Sequence, residues 1–431
     1  MKLFGTMEIN EEGHLVIGKC DTVDLAEEYG TPLYIMDEQL IRDRCRLFRE
    51  NFKSEDIKTE VIYASKAFLT LAMCRLIEEE GLSLDVVSGG ELYTALKAGF
   101  PAHRIHMHGN NKSREELVMA IEAGVGRIIV DNRYELDLIE DICKSLDKRA
   151  CILLRLNPGI EADTHDYIKT TKNDSKFGES IYDENIFHII NRIIKSPYID
   201  LKGFHSHIGS QIFQEETYYE LINIMLDFAK KASQVCGIRV EELNLGGGFG
   251  VYYAKGDKPF ELEVFLKNIL EKVKNKSGSL GIDIPKLMIE PGRTIVANAG
   301  TTLYRVGTVK KTYGGKNYVF IDGGMNDNPR TSLYDAQYEA ALANRMDEEG
   351  QNVYTITGKC CESGDIIVKN VSLPNPRVGD IVAVSTTGAY NYSMSSNYNR
   401  LPRPAVVFVK DGKSRCVVKR ETYEDIIRND I

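Results

Sequence analysis

From about residue 60 to residue 292, short apolar runs alternate with longer stretches whose apolar positions recur every three to four residues. Short runs bounded by turn residues read as buried strands, and the longer stretches read as amphipathic helices. Their alternation predicts repeated βα units on a parallel sheet. Eight strand-like runs stand out: Val61 to Ser65, Leu84 to Ser88, Ile105 to His108, Arg127 to Asp131, Ile152 to Asn157, Leu201 to His207, Glu242 to Gly246 and Leu287 to Glu290. Between them, stretches such as Ser113 to Gly124 and Tyr134 to Ser145 carry helical spacing, with Ser or Asn starts and Gly stops. Eight βα units predict a (β/α)8 TIM-type barrel.

The pattern changes after Arg293. Thr302 to Lys310, Asn317 to Asp322, Ile366 to Val371, Asp380 to Thr386 and Pro404 to Lys410 are strand-like and punctuated by Gly, Pro and Asn. They predict a mostly antiparallel β-domain. Leu15 to Lys19 and Leu33 to Met36 read the same way, so the N-terminus is expected to join that domain. The expected class is α/β, with a barrel over 37–292 and a β-domain built from 1–36 together with 293–431.

Length agrees with two domains, because 431 residues exceed what one core usually organises. The net charge of −9 is spread without a basic run, which argues against a nucleic-acid or membrane-surface partner and for a small molecule. The first ten residues lack the pattern of a signal peptide, and no apolar run approaches a membrane span. Nine scattered cysteines, an odd number, argue against a disulfide framework. A cytoplasmic location is expected.

In such barrels the chemistry sits at the C-terminal ends of the strands. The first run ends in Tyr63-Ala64-Ser65-Lys66-Ala67. A lone lysine there can simply reach for solvent. The seventh ends in Gly246-Gly247-Gly248-Phe249-Gly250, where glycines let backbone N–H groups approach a phosphate, although a tight βα turn also wants glycine. The eighth ends in Glu290-Pro291-Gly292-Arg293, and the seventh and eighth loops frequently form the phosphate site of a barrel. Glu290 can be an ion-pair partner, or a carboxylate that holds the proton on a pyridine nitrogen. Lys66 and Glu290 together offer the amine and the carboxylate that a pyridoxal phosphate site requires.

The sixth run closes in His205-Ser206-His207-Ile208-Gly209-Ser210-Gln211. Histidines two apart on a strand share a face, so a metal pair competes with an imidazole stacked on a cofactor ring. No third ligand stands at useful spacing, and no metal is expected. In the β-domain, Cys360-Cys361-Glu362 lies between strands. Adjacent cysteines can be core packing, whereas a thiol, protonated at neutral pH in its ordinary state, can donate a proton. Gly388-Ala389-Tyr390 and the polar stretch from Ser393 to Asn399 read as a binding loop.

Ten blocks, in order, resemble the diaminopimelate decarboxylase family along almost the whole chain. They are Tyr-Ala-Ser-Lys-Ala around Lys66, Asp-Val-Val-Ser-Gly-Gly-Glu-Leu from Asp85, His-Gly-Asn-Asn-Lys from His108, Arg-Leu-Asn-Pro from Arg155, and Ala-Asp-Thr-His to Ser-Lys-Phe-Gly between Ala162 and Gly178. His-Ile-Gly-Ser-Gln from His207, Gly-Gly-Gly-Phe-Gly from Gly246, Glu-Pro-Gly-Arg from Glu290, Cys-Glu-Ser-Gly-Asp from Cys361 and Gly-Ala-Tyr from Gly388 complete the set.

The resemblance implies a pyridoxal 5′-phosphate enzyme that converts meso-2,6-diaminopimelate to L-lysine and CO2, the last step of lysine synthesis. It implies that Lys66 carries the Schiff base, that His207 stacks on the ring and that Glu290 faces its nitrogen. Ser210, Gly246, Gly247, Gly248, Pro291, Gly292, Arg293 and Tyr390 would surround the phosphate and cofactor edge. Arg293, Arg330, Tyr334, Glu362 and Tyr390 would hold the substrate. Cys361 would be the acid, reaching the site with Glu362 from the second subunit of a homodimer. Phe68, Lys359-Cys360, Asp335 and Tyr338 depart from the commoner pattern and bear on the substrate more than on the reaction. A decarboxylase of lysine, ornithine or a related diamino acid is the alternative. A non-catalytic pyridoxal phosphate carrier would not need Cys361 or Glu362.

Overall fold

The computed structural model of the protein describes residues 1–160 and 175–431. It resolves into two compact units, one of residues 45–250 with 259–292, the other of residues 1–44, 251–258 and 293–431.

The first unit is a closed barrel of eight parallel strands. They are β1 (Thr59–Ala64), β2 (Ser83–Val86), β3 (Ile105–Met107), β4 (Arg127–Val130), β5 (Ala150–Asn157), β6 (Ile199–His205), β7 (Glu242–Asn244) and β8 (Lys286–Ile289). Neighbours in sequence are neighbours in the sheet, and β8 pairs with β1 to close it, Ile289 lying opposite Val61. All eight expected runs are strands, most of them ending a residue or two early because the polar ends turn into loops. Inside, Ile62, Ile129, Leu153 and Met288 form a fully buried cluster. Burying such side chains stabilises the barrel by roughly 1.5–3 kcal/mol each.

Each of the first seven strands leads to a helix, the third to Arg114–Ala123 and the fourth to Arg133–Leu146. Ser113 and Glu116 form a capping box, and Gly124 ends that helix in the left-handed conformation. The next helix starts as expected, on the Asn132 side chain, but it ends on Asp147 at φ 51°, where a glycine stop was expected. Aspartate tolerates that conformation better than most side chains do.

In the second unit the strands are β9 (Gly300–Lys311), β10 (Asn317–Ile321), β11 (Ala340–Leu342), β12 (Asn352–Thr357), β13 (Ile366–Leu373), β14 (Ile381–Ser385), β15 (Ala405–Lys410) and β16 (Lys413–Val418). Leu33–Asp37 lies in the middle of this sheet, antiparallel to β9 and parallel to β15. β10 and β12 are also parallel, and the remaining pairs are antiparallel. The N-terminal strand Leu15–Ile17 stops before Gly18 and Lys19, whose φ of 60° and 63° turn the chain back. Leu15, Ile17, Leu33, Ile35, Leu303 and Val407 share one buried core. Among the described residues no helix is long and apolar enough to cross a membrane.

Candidate active site

The end of β1 passes into a single turn, Ser65–Ala67, which buries Ser65 and Ala67 and leaves Lys66 exposed. Ser65 Oγ donates to Glu91 at 2.8 Å, and the Val87 N–H donates to the same carboxylate at 2.7 Å. The turn is also locked to the end of β8. The Ala64 N–H donates to the Pro291 carbonyl at 3.1 Å, and a Cβ on Gly292 would stand 2.8 Å from that of Ala64. Chain closure therefore brings the loops bearing Lys66 and Glu290 side by side. Asp85, on β2, has its carboxyl pushed well up by burial and by the nearby Glu290 charge, with the Lys66 charge acting the other way.

Glu290 follows β8 and is buried. Its Oε1 accepts from Asn244 Nδ2 at 2.8 Å and lies 3.0 Å from His108 Nε2, while Oε2 lies 3.2 Å from His205 Nε2. Burial alone would raise this carboxyl, but His108 and His205 outweigh it and hold it well below the usual range. Burial in turn lowers both imidazoles, His108 to about 3. Glu290 is thus a buried carboxylate whose oxygens face Asn244, His108 and His205, and the two imidazoles favour its ionised form.

The two histidines expected to share a face part company. His205 turns to Glu290, whereas His207, just past the strand end, accepts the Gly247 N–H on Nδ1 at 3.2 Å. Burial first, then the charges of Lys66 and Arg155, keep His207 well below the usual histidine range. With Nδ1 accepting, its proton belongs on Nε2. Among the described residues the third ligand that sequence spacing does not offer for His205 and His207 is not found for that pair, but a different group gathers around His205. His108 comes from the end of β3, and its ligand atom and those of His205 and Glu290 lie within 4.8 Å of one another. Sequence spacing cannot find this group, because barrel closure brings it there.

In the glycine run the Gly246 N–H donates to Asn244 Oδ1 at 2.9 Å and the Gly247 N–H to His207. A Cβ on Gly247 would sit 2.1 Å from the Glu290 carbonyl, so the run packs directly against the β8 end. Ser210 is half-buried beyond β6. Ala162 to Asp174 lie outside the described residues, so only Ser175 to Gly178 of that motif can be placed; Phe177 lies under the Arg155 guanidinium at 4.4 Å.

The second unit holds a cluster of its own. Arg293 Nη1 donates to Tyr253 Oη at 2.7 Å and its guanidinium stands 4.7 Å from the Tyr390 ring centre. Arg330 Nη1 donates to Tyr338 Oη at 2.8 Å and lies 4.8 Å over the Tyr253 ring. Both arginines are buried. Asp335, one of the departures from the common pattern, pairs with Lys369 at 2.8 Å on the surface. Tyr338, another of those departures, is what receives Arg330. Tyr334 is half-buried on the short helix Arg330–Tyr334. Cys361 and Glu362 are exposed, with the Cys361 N–H donated to Asn399 Oδ1 at 2.7 Å. Cys360 is the buried member of the pair, and burial pushes its thiol up to about 12. Asn244, Tyr253 and Asn391, which accepts from Tyr338 at 3.1 Å, escaped the sequence reading because nothing in their local pattern marks them.

Residues 38–297 match the family described as pyridoxal-dependent decarboxylase, pyridoxal binding domain. The diaminopimelate decarboxylase of Bacillus subtilis is 52% identical, over 100% of this chain and 98% of its own. That of Staphylococcus aureus is 46% identical over 99% of each. The crystal structure of the M. jannaschii diaminopimelate decarboxylase superposes with a TM-score of 0.93 at 35% identity, covering 99% of this chain and 98% of that one. Similarity of this extent, over barrel and β-unit alike, means that the chain belongs to the diaminopimelate decarboxylase family of pyridoxal 5′-phosphate-dependent carboxy-lyases.

Proposed function

We propose that this chain decarboxylates meso-2,6-diaminopimelate at its D-configured carbon, giving L-lysine and CO2 as the last step of lysine synthesis. The observation that carries the reading is Glu290: a buried carboxylate whose neighbours favour its ionised form, directly after the strand that pairs with the one leading to Lys66. That is the group a protonated pyridine needs, so the residues present fit the cofactor. When bound, pyridoxal phosphate supplies an electron-accepting ring for the electrons of the breaking carbon–carbon bond.

In this reading Lys66 provides the amine that holds the cofactor and yields to the substrate amine. Glu290 keeps the proton on the ring nitrogen, and His207, uncharged, packs on the ring face without competing for that proton. Ser210, Gly246, Gly247, Gly248, Pro291, Gly292, Arg293 and Tyr390 surround the phosphate and cofactor edge, the glycines letting the chain pass close. Arg293, Arg330, Tyr334 and Tyr390 hold the substrate, the arginines gripping its distal carboxylate in bidentate geometry. Glu362 takes the distal ammonium. Cys361 delivers a proton to the carbon that has lost CO2. Cys361 and Glu362 come from the partner subunit of a homodimer, and the enzyme works in the cytoplasm, in keeping with nine cysteines free of disulfides.

Two arginines left without a carboxylate in a closed pocket cost several kcal/mol, so a monocarboxylate should be rejected strongly. Assay of CO2 release from meso-diaminopimelate, L-lysine, D-lysine and L-ornithine side by side tests this. Comparable turnover of any monocarboxylate would defeat the assignment.

A further inference from the structure

Tyr253 has no role in the reaction as described so far, yet both buried arginines meet on it. Its hydroxyl accepts from Arg293 at 2.7 Å, and its ring carries the Arg330 guanidinium at 4.8 Å and the Arg293 guanidinium at 5.7 Å. The Tyr338 ring stands edge-on to it at 5.6 Å, and the Tyr338 hydroxyl accepts from Arg330 at 2.8 Å. Among the described residues no carboxylate pairs with Arg330.

We propose that Tyr253 is a positioning residue for the substrate's distal carboxylate: it stands between Arg293 and Arg330 as a shared, displaceable counter-charge. The inference rests on the reading that these arginines grip that carboxylate.

Two guanidiniums buried together repel each other, and a neighbour must supply negative potential if they are to stay close. A phenol does so twice, through its oxygen and through the face of its ring. A carboxylate at position 253 would neutralise the arginines permanently and shut out the substrate, and an aliphatic side chain would leave them unscreened. A phenol is acidic enough to share its charge and weak enough to give it up. Burial alone would raise the Tyr253 phenol, but the Arg293 and Arg330 charges overcome it and bring the phenol below its ordinary value. A carboxylate arriving on the arginines takes over that work, so its binding should drive the phenol back towards its protonated form.

The test compares wild type, Tyr253→Phe and Arg330→Ala as holoenzymes. Tyr253→Phe keeps the ring, so it should fold, and loss of one hydrogen bond to a charged group should raise KM for meso-diaminopimelate about ten-fold while kcat changes little. A pH titration of phenolate absorbance, taken as wild type minus Tyr253→Phe, should show one tyrosine ionising early. Pimelate, a dicarboxylate without amines, should delay that ionisation. If Arg330→Ala raises KM while Tyr253→Phe leaves it unchanged, or if pimelate leaves the titration unmoved, the role of Tyr253 is overturned and the arginine reading stands. If Arg330→Ala itself leaves KM unchanged, the arginine reading falls and this inference with it.

Discussion

Lys66 and Asp327 illustrate how one side chain's surroundings decide its chemistry. Lys66 is exposed on a turn whose two other residues are buried, so its amine is accessible while its backbone is fixed. Holoenzyme should therefore be yellow, and borohydride should fix the cofactor to the peptide that contains Lys66; an adduct on another lysine would displace it from the role given above. Asp327 is the opposite case. It is buried in the β-unit, bonded to the Tyr304 hydroxyl and the Gly324 N–H, yet burial, with Asp365 and Asp322 nearby, pushes its carboxyl up to about 7. The unfolded chain releases this proton near pH 4 and the folded chain keeps it until about pH 7. The proton's contribution to stability is thus fully present below pH 4 and is lost as pH rises towards 7, a change on the order of a few kcal/mol. Asp327→Asn gives up the Gly324 bond at every pH, but its stability should vary less between pH 4.5 and 7. Urea midpoints across that range check this, and equal slopes in the two proteins would refute it.

At the scale of elements, the glycines do different jobs that their letters alone do not distinguish. Gly247 lies against the Glu290 carbonyl, and a methyl at 2.1 Å from backbone must push the β8 end aside. Gly247→Ala should cost roughly 2–4 kcal/mol and loosen the cofactor as well. Gly278, inside the helix Leu262–Leu280, has nothing within 4 Å of its missing Cβ, and Gly278→Ala should stabilise by about 0.5–1 kcal/mol. Thermal melts of the two variants, together with cofactor retention on dialysis, separate these effects. The same distinction marks what could be read from the sequence. The barrel strands were legible because a strand buried on both faces must be a short apolar run, and their polar ends announced Lys66, His207 and Glu290. The company those residues keep was not. His108 and Asn244 meet Glu290 only because β3, β7 and β8 belong to one closed ring, and an approach between residues so far apart in the chain as His108 and Glu290 leaves no local period. The Gly246 and Gly247 N–H groups looked available for a phosphate and are engaged by Asn244 and His207, a detail of side-chain direction that composition does not carry.

For the whole molecule, the exposure of Cys361 and Glu362 has the widest consequence. Both lie between β12 and β13 in the one chain, open to solvent, while Cys360 beside them is buried. A proton donor standing in water has no advantage over water itself, so the roles given to Cys361 and Glu362 require a surface that covers them. In the proposed homodimer a second copy of the chain would supply one, contributing these residues to the site that its partner's Lys66 opens, and each active site would be a joint product of two subunits. Complementation tests this directly. Lys66→Ala and Cys361→Ala homodimers should each be nearly inactive, whether the site is shared or not. After subunit exchange, half the dimers are hybrids. If the site is shared, each hybrid holds one site with both residues intact and one with neither, so activity should recover to about one quarter of wild type. If Lys66 and Cys361 serve the same site from the same chain, every site in every hybrid lacks one of them and no activity returns. Exchange verified with differently tagged subunits, followed by unrecovered CO2 release, would therefore rule out the shared site and return Cys361 to the chain that carries it.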